Sequence, residues 1–266
     1  MHKNSCRADG SFSLTGRITV STLALAAMEF VYIFIATLLA AFTQSVSGFG
    51  LAMVSMPLLL SMSIGLQIAT PYVALMSVIP EIILLSYYRK SLKIGAVWRL
   101  IVASLFGIGI GVLSLDYLDE NIALLILGTV ILLYSAYALL QFRLPTLESS
   151  GWAYLAGITA GFLGGAFNTT GPPIIMYGHS RGWQPAEFKG NLQAYFIINT
   201  VFIAIMHGIR GNYTQEIWQY YLYAGLPAIA IGLVAGIALD RFIQPELFRK
   251  IVLVALALIG TSLIIG

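Results

Sequence analysis

Two short stretches interrupt apolar sequence with residues that can hold a solute: Ser45-Val46-Ser47-Gly48-Phe49-Gly50, ahead of Pro57, and Gly164-Gly165-Ala166-Phe167-Asn168-Thr169-Thr170-Gly171-Pro172-Pro173. Gln44, Ser45 and Ser47 in the first, with Asn168, Thr169 and Thr170 in the second, offer hydroxyl and amide donors to oxygen atoms. Gly48, Gly50 and Gly171 let the backbone come close. Pro57, Pro172 and Pro173 tolerate a broken ladder, since proline has no N–H and suits the first turn of a helix. A helix that starts inside a bilayer presents unpaired N–H groups and partial positive charge, which is an anion receptor. Non-helical chain survives in hydrocarbon only where it lines a polar cavity or is buried in protein.

The elements that must position these residues are membrane helices. Of 266 residues, 59% are hydrophobic and 9% charged, against about 25% charged in an average soluble domain. Apolar runs recur from Leu23 to Val46, Ile68 to Tyr88, Ala96 to Leu115, Asn121 to Phe142, Trp152 to Phe167, Asn191 to His207, Ile217 to Leu239 and Ile251 to Ile265. Connecting stretches, including Ser180 to Gly190, read as loops. The net charge of +3 is small and scattered, so no nucleic-acid partner is expected. The single cysteine, Cys6, excludes a disulfide framework and a thiolate metal site, and neither cofactor nor metal is called for. Residues 1–27 carry Lys3, Arg7 and Arg17 ahead of Ala24-Leu25-Ala26, the outline of a signal peptide. They read either as a leader or disordered tail, or as sequence upstream of a true start at Met28.

The second half echoes the first. Gly107 and Gly111 match Gly232 and Gly236, each pair followed by an aspartate, Asp116 or Asp240, and placing Gly48 on Gly164 puts Pro57 on Pro173. Basic residues mark cytoplasmic loops. Arg89, Lys90, Lys93 and Arg99 place one loop inside, and the acidic loop of Asp116, Asp119 and Glu120 falls outside. Its counterpart in the second half carries Arg241, Arg249 and Lys250 and falls inside. Equivalent loops therefore face opposite sides, as in inverted-repeat transporters. The expected architecture is an all-α polytopic membrane protein with repeats at 28–143 and 151–266 joined by a linker at 144–150. Each repeat is expected to hold a broken-helix hairpin followed by three membrane-spanning helices. Arg143 agrees with an inside linker, whereas the basic leader conflicts with an outside N-terminus.

Other polar residues carry two readings each. Glu81 follows Pro80 in an apolar span and can carry a proton in symport, or pair with a basic residue at the cytoplasmic interface. Asn191, Gln193 and Asn199 can wall a cavity, although Asn191 and Gln193 do not share a helix face; Gln193 is retained as a site residue. Lys189 and Arg181 either attract an anion at a cavity mouth or simply obey the positive-inside rule. His179 and His207 sit at span ends, where interfacial solvation explains them. Gly157, Gly161 and Gly165 form a small-xxx-small ladder suited to helix packing, a role open to Ser45 and Ser47 as well.

The pairing of Ser47-Gly48-Phe49-Gly50 and Pro57 with the Asn168-to-Pro173 hairpin resembles the TauE/SafE sulfite-exporter family, also called the toluene-sulfonate uptake permeases. The resemblance extends from Met28 to Gly266, and the Gly-Pro-Pro hairpin is its most specific element. The first hairpin departs from the fuller glycine cluster of many members. The resemblance implies a multi-pass permease of the bacterial inner membrane that moves sulfite, sulfonates or related carboxylate anions, with solute contacts at Gln44 to Gly50 and Asn168 to Pro173. A coupling proton or cation is implied, membrane lipid is the solvent, and a homo-oligomer is compatible with the sequence. The chain has no phosphate-binding Gly-xxxx-Gly-Lys-Ser/Thr loop, so an ion or solute gradient must supply the energy unless a separate subunit does. A passive anion channel would use the same donors. An intramembrane enzyme is disfavoured, because no facing serine and histidine, paired aspartates or His-Glu-x-x-His is present.

Overall fold

The computed structural model describes residues 12–142 and 144–265, so Lys3, Cys6, Arg7 and Arg143 lie outside the described residues. Helices α1 (Phe12–Ser47), α2 (Leu51–Ser61), α3 (Leu66–Tyr88), α4 (Ile94–Ser114) and α5 (Glu120–Leu140) make the first half. The second half comprises α6 (Gly151–Phe167), α7 (Gly171–Ser180), α8 (Pro185–Ile209), α9 (Gln215–Leu239, with a π-helical stretch at Tyr220–Gly225) and α10 (Pro245–Ile265). No strand occurs among the described residues. Seven of these helices are long and apolar enough to cross a membrane, namely the Ala27–Ser47 part of α1 with α3, α4, α5, α8, α9 and α10. The chain is therefore an all-helical, multi-pass membrane protein.

Both interruptions expected from sequence are real. α1 stops at Ser47 and α2 starts at Leu51; α6 stops at Phe167 and α7 starts at Gly171. α2 has 11 residues and α7 has 10, about 15 Å each at 1.5 Å per residue, so each returns only about half-way through a bilayer. The breaks themselves set Gly48 opposite Asn168, one helical turn beyond the Gly164 chosen from glycine spacing. The stretch read as a loop from Ser180 to Gly190 is shorter than expected, because Pro185 at the first turn starts α8. Asp119 caps α5, accepting from the amides of Asn121 at 2.9 Å and Ile122 at 3.3 Å.

Packing is crosswise between the halves. α6 lies along α4 and α1 lies along α9, while α3 packs on α8 and α5 on α10. Glycine makes the α4–α6 seam: a methyl group on Gly107 would come within 2.8 Å of the Phe162 amide nitrogen, and one on Gly161 would come within 2.8 Å of the Ser104 carbonyl carbon. At the α1–α9 seam a methyl on Gly232 would sit 2.8 Å from the Leu38 carbonyl oxygen. Backbones this close gain dispersion contact without any hydrophobic contribution, which lipid does not supply between helices. The glycine pairs matched between the halves thus each seat the first helix of the opposite half.

Polar contacts show which helix ends share a side. Lys93, after α3, pairs with Glu187 at the start of α8 at 2.8 Å, and Arg181 donates to the carbonyls of Leu147 and Glu148 in the mid-chain linker. At the opposite ends Arg210 pairs with Asp116, and the Tyr220 hydroxyl donates to Glu29 at 2.9 Å. The first set of ends gathers Arg89, Lys90, Lys93, Arg181, Lys189, Arg241, Arg249 and Lys250, the pattern that the positive-inside rule associates with a cytoplasmic face.

Candidate solute site

At the first break two glycines adopt left-handed backbone, Gly48 with φ +79° and Gly50 with φ +108°. A side chain is disfavoured there, which explains glycine at both positions. The buried Gln44 reaches across the break, its Oε1 accepting from the Leu51 amide at 2.9 Å, and so caps the first turn of α2. The next amides, Ala52 and Met53, have no backbone carbonyl four residues earlier in helical register. The Ser47 hydroxyl is shared by the carbonyls of Thr43 at 2.6 Å and Phe49 at 2.5 Å. Gln193 of α8 donates to the Gly48 carbonyl, pinning the hairpin from outside.

The second break uses asparagine for the same purpose. Asn168 has φ +52°, a conformation that asparagine tolerates better than most residues, and its amide closes α6 on the Gly164 carbonyl at 2.7 Å. Its side-chain nitrogen donates to the Thr70 carbonyl on α3 at 2.5 Å, while the Thr70 hydroxyl donates to the Ala166 carbonyl at 3.3 Å. Thr169 donates to the Phe167 carbonyl at 3.0 Å. Pro172 and Pro173 occupy the opening turn of α7. A methyl on Gly171 would lie 3.3 Å from the Met53 sulfur, so the starts of α2 and α7 are immediate neighbours.

Between those two helix starts lies a cavity of about 30 Å³, room for a water molecule or two. Gln44, Gly50 to Met53, and Asn168 to Gly171 line it from the hairpins, Ser77 and Glu81 from α3, and Phe196 and Thr200 from α8. Gln44, Gly50, Asn168, Thr169, Thr170 and Gly171, singled out from sequence, thus line one chamber. Glu81 joins them, 7% exposed, with its Oε2 lacking a hydrogen-bond partner among the described residues. It has no basic partner either: the described ion pairs are Lys93–Glu187 and Arg210–Asp116. Among the described residues no group of His, Cys, Asp and Glu is placed to hold a metal ion.

The remaining residues singled out from sequence stand elsewhere. Ser45 packs against Gly236 and donates to the Leu233 carbonyl at 3.2 Å, a contact of the α1–α9 seam. Ser47 and Gly48 face a second cavity of about 190 Å³, lined also by Val46, Phe49, Lys189 and Arg249 at the basic end. Pro172 faces a separate, mostly apolar cavity beside the linker. Gln193 serves as the hairpin clamp described above, and Asn191 accepts from the Lys93 amide at 2.9 Å. Asn199 bonds Ser104 at 2.5 Å. His207 bonds Asn212 at 2.9 Å and His179 bonds the Tyr137 hydroxyl at 3.0 Å. Sequence reasoning missed Ser77, Phe196 and Thr200. The signal was present, since Ser77 precedes Glu81 by one turn and Phe196 precedes Thr200 by one turn, giving each pair a common face.

The fold and this arrangement define a class: polytopic α-helical membrane proteins whose interrupted hairpins enclose a polar chamber. Residues 33–263 match the family described as Sulfite exporter TauE/SafE, and the chain belongs to that family. It is a membrane transporter and not an enzyme. Among curated proteins it is 28% identical over 233 residues to the "Probable sulfite/organosulfonate exporter TauE" of Cupriavidus necator, covering 84% of this chain and 88% of that one. It is 29% identical over 172 residues to the "Probable inner membrane transporter protein TsaS" of Comamonas testosteroni, covering 62% and 72% respectively. No solved structure matches the chain.

Proposed function

We propose that this protein is a secondary carrier of the bacterial inner membrane that moves small oxyanions, sulfite or organosulfonates foremost, by alternating access between two inverted repeats. The carrying observation is the meeting of the α2 and α7 starts around one chamber. The Ala52 and Met53 amides in the first turn of α2, the Gly171 amide that opens α7 and the positive dipole ends of both helices border this chamber and favour a negatively charged guest, although Pro172 and Pro173 contribute no N–H. Gln44, Thr169 and Thr170 add neutral polar groups at the same wall. The name of the relative from Cupriavidus necator supports sulfite and organosulfonates within that chemistry.

Alternating access draws support from the closure of the chamber. At about 30 Å³ it is too small for a sulfonate, so a solute must enter through a different conformation. The cytoplasmic cavity of about 190 Å³ stops at Gly48 and Phe49, while Gly50 faces the central chamber. The first hairpin tip is therefore the partition between them, and its movement would open the chamber to the cytoplasm. Crosswise helix pairing and the placement of basic loops support the inverted arrangement.

Counterflow in proteoliposomes tests the reading. Unlabelled methanesulfonate or sulfite loaded inside should accelerate entry of labelled solute. Uptake indifferent to preloading defeats the carrier mechanism, and absence of thermal stabilisation by sulfite, alkylsulfonates and sulfoacetate defeats the substrate class.

A further inference from the structure

Glu81 puts a carboxyl group in a chamber whose other features favour an anion. Its Oε2 is buried without a partner, and the rest of the chamber lining contributes no other ionisable side chain. Gln44, Ser77, Asn168, Thr169, Thr170 and Thr200 are all neutral. Thr200 of α8 lines the chamber beside Glu81. Several titratable groups on α3 and on the elements packed against it are engaged elsewhere. Tyr72, on α3 itself, bonds Thr37 at 2.7 Å, Glu187 pairs with Lys93, and Tyr220 bonds Glu29 and Glu216. Lys189 lies over the Tyr88 ring, seven residues along α3 from Glu81. On α8, His207 bonds Asn212 through Nδ1, while its buried Nε2 and the buried Tyr195 hydroxyl have no partner among the described residues; neither residue, nor Tyr221, lines the chamber.

A carboxylate and a bound anion cannot share so small and poorly solvated a space without strong repulsion. A carboxylic acid can, because its O–H donates to an anion oxygen that the helix amides do not reach. We infer that Glu81 is the proton carrier of the transport cycle, protonated whenever the anion is bound and released to water when the anion leaves. This rests on the anion-carrier reading above. One proton accompanies each anion: the O–H bond of Glu81 breaks towards water on the side of release and re-forms from water on the side of loading. For a monovalent sulfonate the step moves no net charge. In the empty chamber the ionised carboxylate can take the anion's place before the helix starts, so the site resets without an unpaired charge.

The test separates the two readings. With methanesulfonate, anionic at every working pH, an outside-acid gradient should drive accumulation in wild-type proteoliposomes, and a potassium diffusion potential should not. Glu81→Gln, a mimic of the protonated acid, should lose gradient-driven accumulation by a much larger factor than it loses counterflow; Glu81→Asp should restore part of the accumulation. Apparent affinity for methanesulfonate should fall about tenfold per pH unit above the carboxyl titration in wild type and be flat in Glu81→Gln. If counterflow is absent from wild type, the carrier reading fails. If counterflow is present and Glu81→Gln still accumulates solute on a pH gradient, or a sodium gradient alone drives uptake, the proton assignment fails. A measurement without solute stands beside these: the infrared carbonyl stretch of a protonated buried carboxyl should appear on acidification of wild type and be missing from Glu81→Gln. Its presence in both would overturn the proposal.

Discussion

Gln193, buried on α8, donates its side-chain amide to the carbonyl of Gly48 at the tip of the first hairpin. That bond joins an element of the second half to the break of the first. It also satisfies a carbonyl that the left-handed Gly48 cannot commit to a helix. Gln193→Leu should keep the volume roughly constant and leave the carbonyl unpaired, at a cost of about 1–2 kcal/mol. A lowered thermal midpoint in detergent checks this, and because Gln193 does not line the central chamber, the counterflow affinity should change less than the stability.

Asn168 combines a backbone demand with a side-chain tether, and two substitutions pull them apart. Asn168→Gly keeps the left-handed conformation and loses the bond to the Thr70 carbonyl. Asn168→Ala loses the bond and adds about 1 kcal/mol of backbone strain. Both should insert into the membrane and bind solute more weakly than wild type, with the alanine protein melting lower. Equal affinities for sulfite among the three proteins in a thermal-shift titration would remove the Asn168 side chain from the site. Thr169→Val should weaken binding in the same assay.

The α4–α6 seam predicts an opposite pair of outcomes for two glycines on one helix. Gly107→Ala drives a methyl into the backbone of α6 and should cost several kcal/mol, about the size of other overpacked contacts. Gly109→Ala meets nothing within 4 Å and should be neutral or gain up to about 1 kcal/mol of helix propensity. Monodispersity on size exclusion and melting temperature distinguish them. Similar behaviour of the two would mean that the seam is looser than drawn.

The proposed opposed orientation of the halves can be tested with single cysteines in a Cys6→Ser background. Tyr117, 90% exposed after α4, and Arg241, beside the 70% exposed Phe242 after α9, occupy corresponding places in the two halves. Tyr117→Cys should react with an impermeant maleimide on intact spheroplasts, and Arg241→Cys only after permeabilisation. Labelling of both from one side would show copies that point the same way.

The breaks were legible in sequence because the backbone demanded particular residues: glycine at Gly48 and Gly50, and asparagine with two prolines after Phe167. The helices were legible because a bilayer admits few other solutions for runs so apolar. Rotational placement was harder. Ser45 and Gly50 are close in sequence, yet one turns to α9 and the other to the chamber. Glu81 carried two readings because one sequence cannot say whether an intramembrane acid faces a cation or a cavity. Only the docking of α3 on α8 decides that. Gln193 was read as a solute contact because a buried amide looks the same whether its partner is a guest or a carbonyl.

The crosswise seams have a consequence for how such a protein is put together. Because α6 is locked to α4 and α1 to α9, the stiff blocks of the molecule each borrow a helix from both halves of the chain. Severed within the 144–150 segment, the two pieces should be stranded as monomers and should reassemble only when synthesised together, each completing the other like clasped hands.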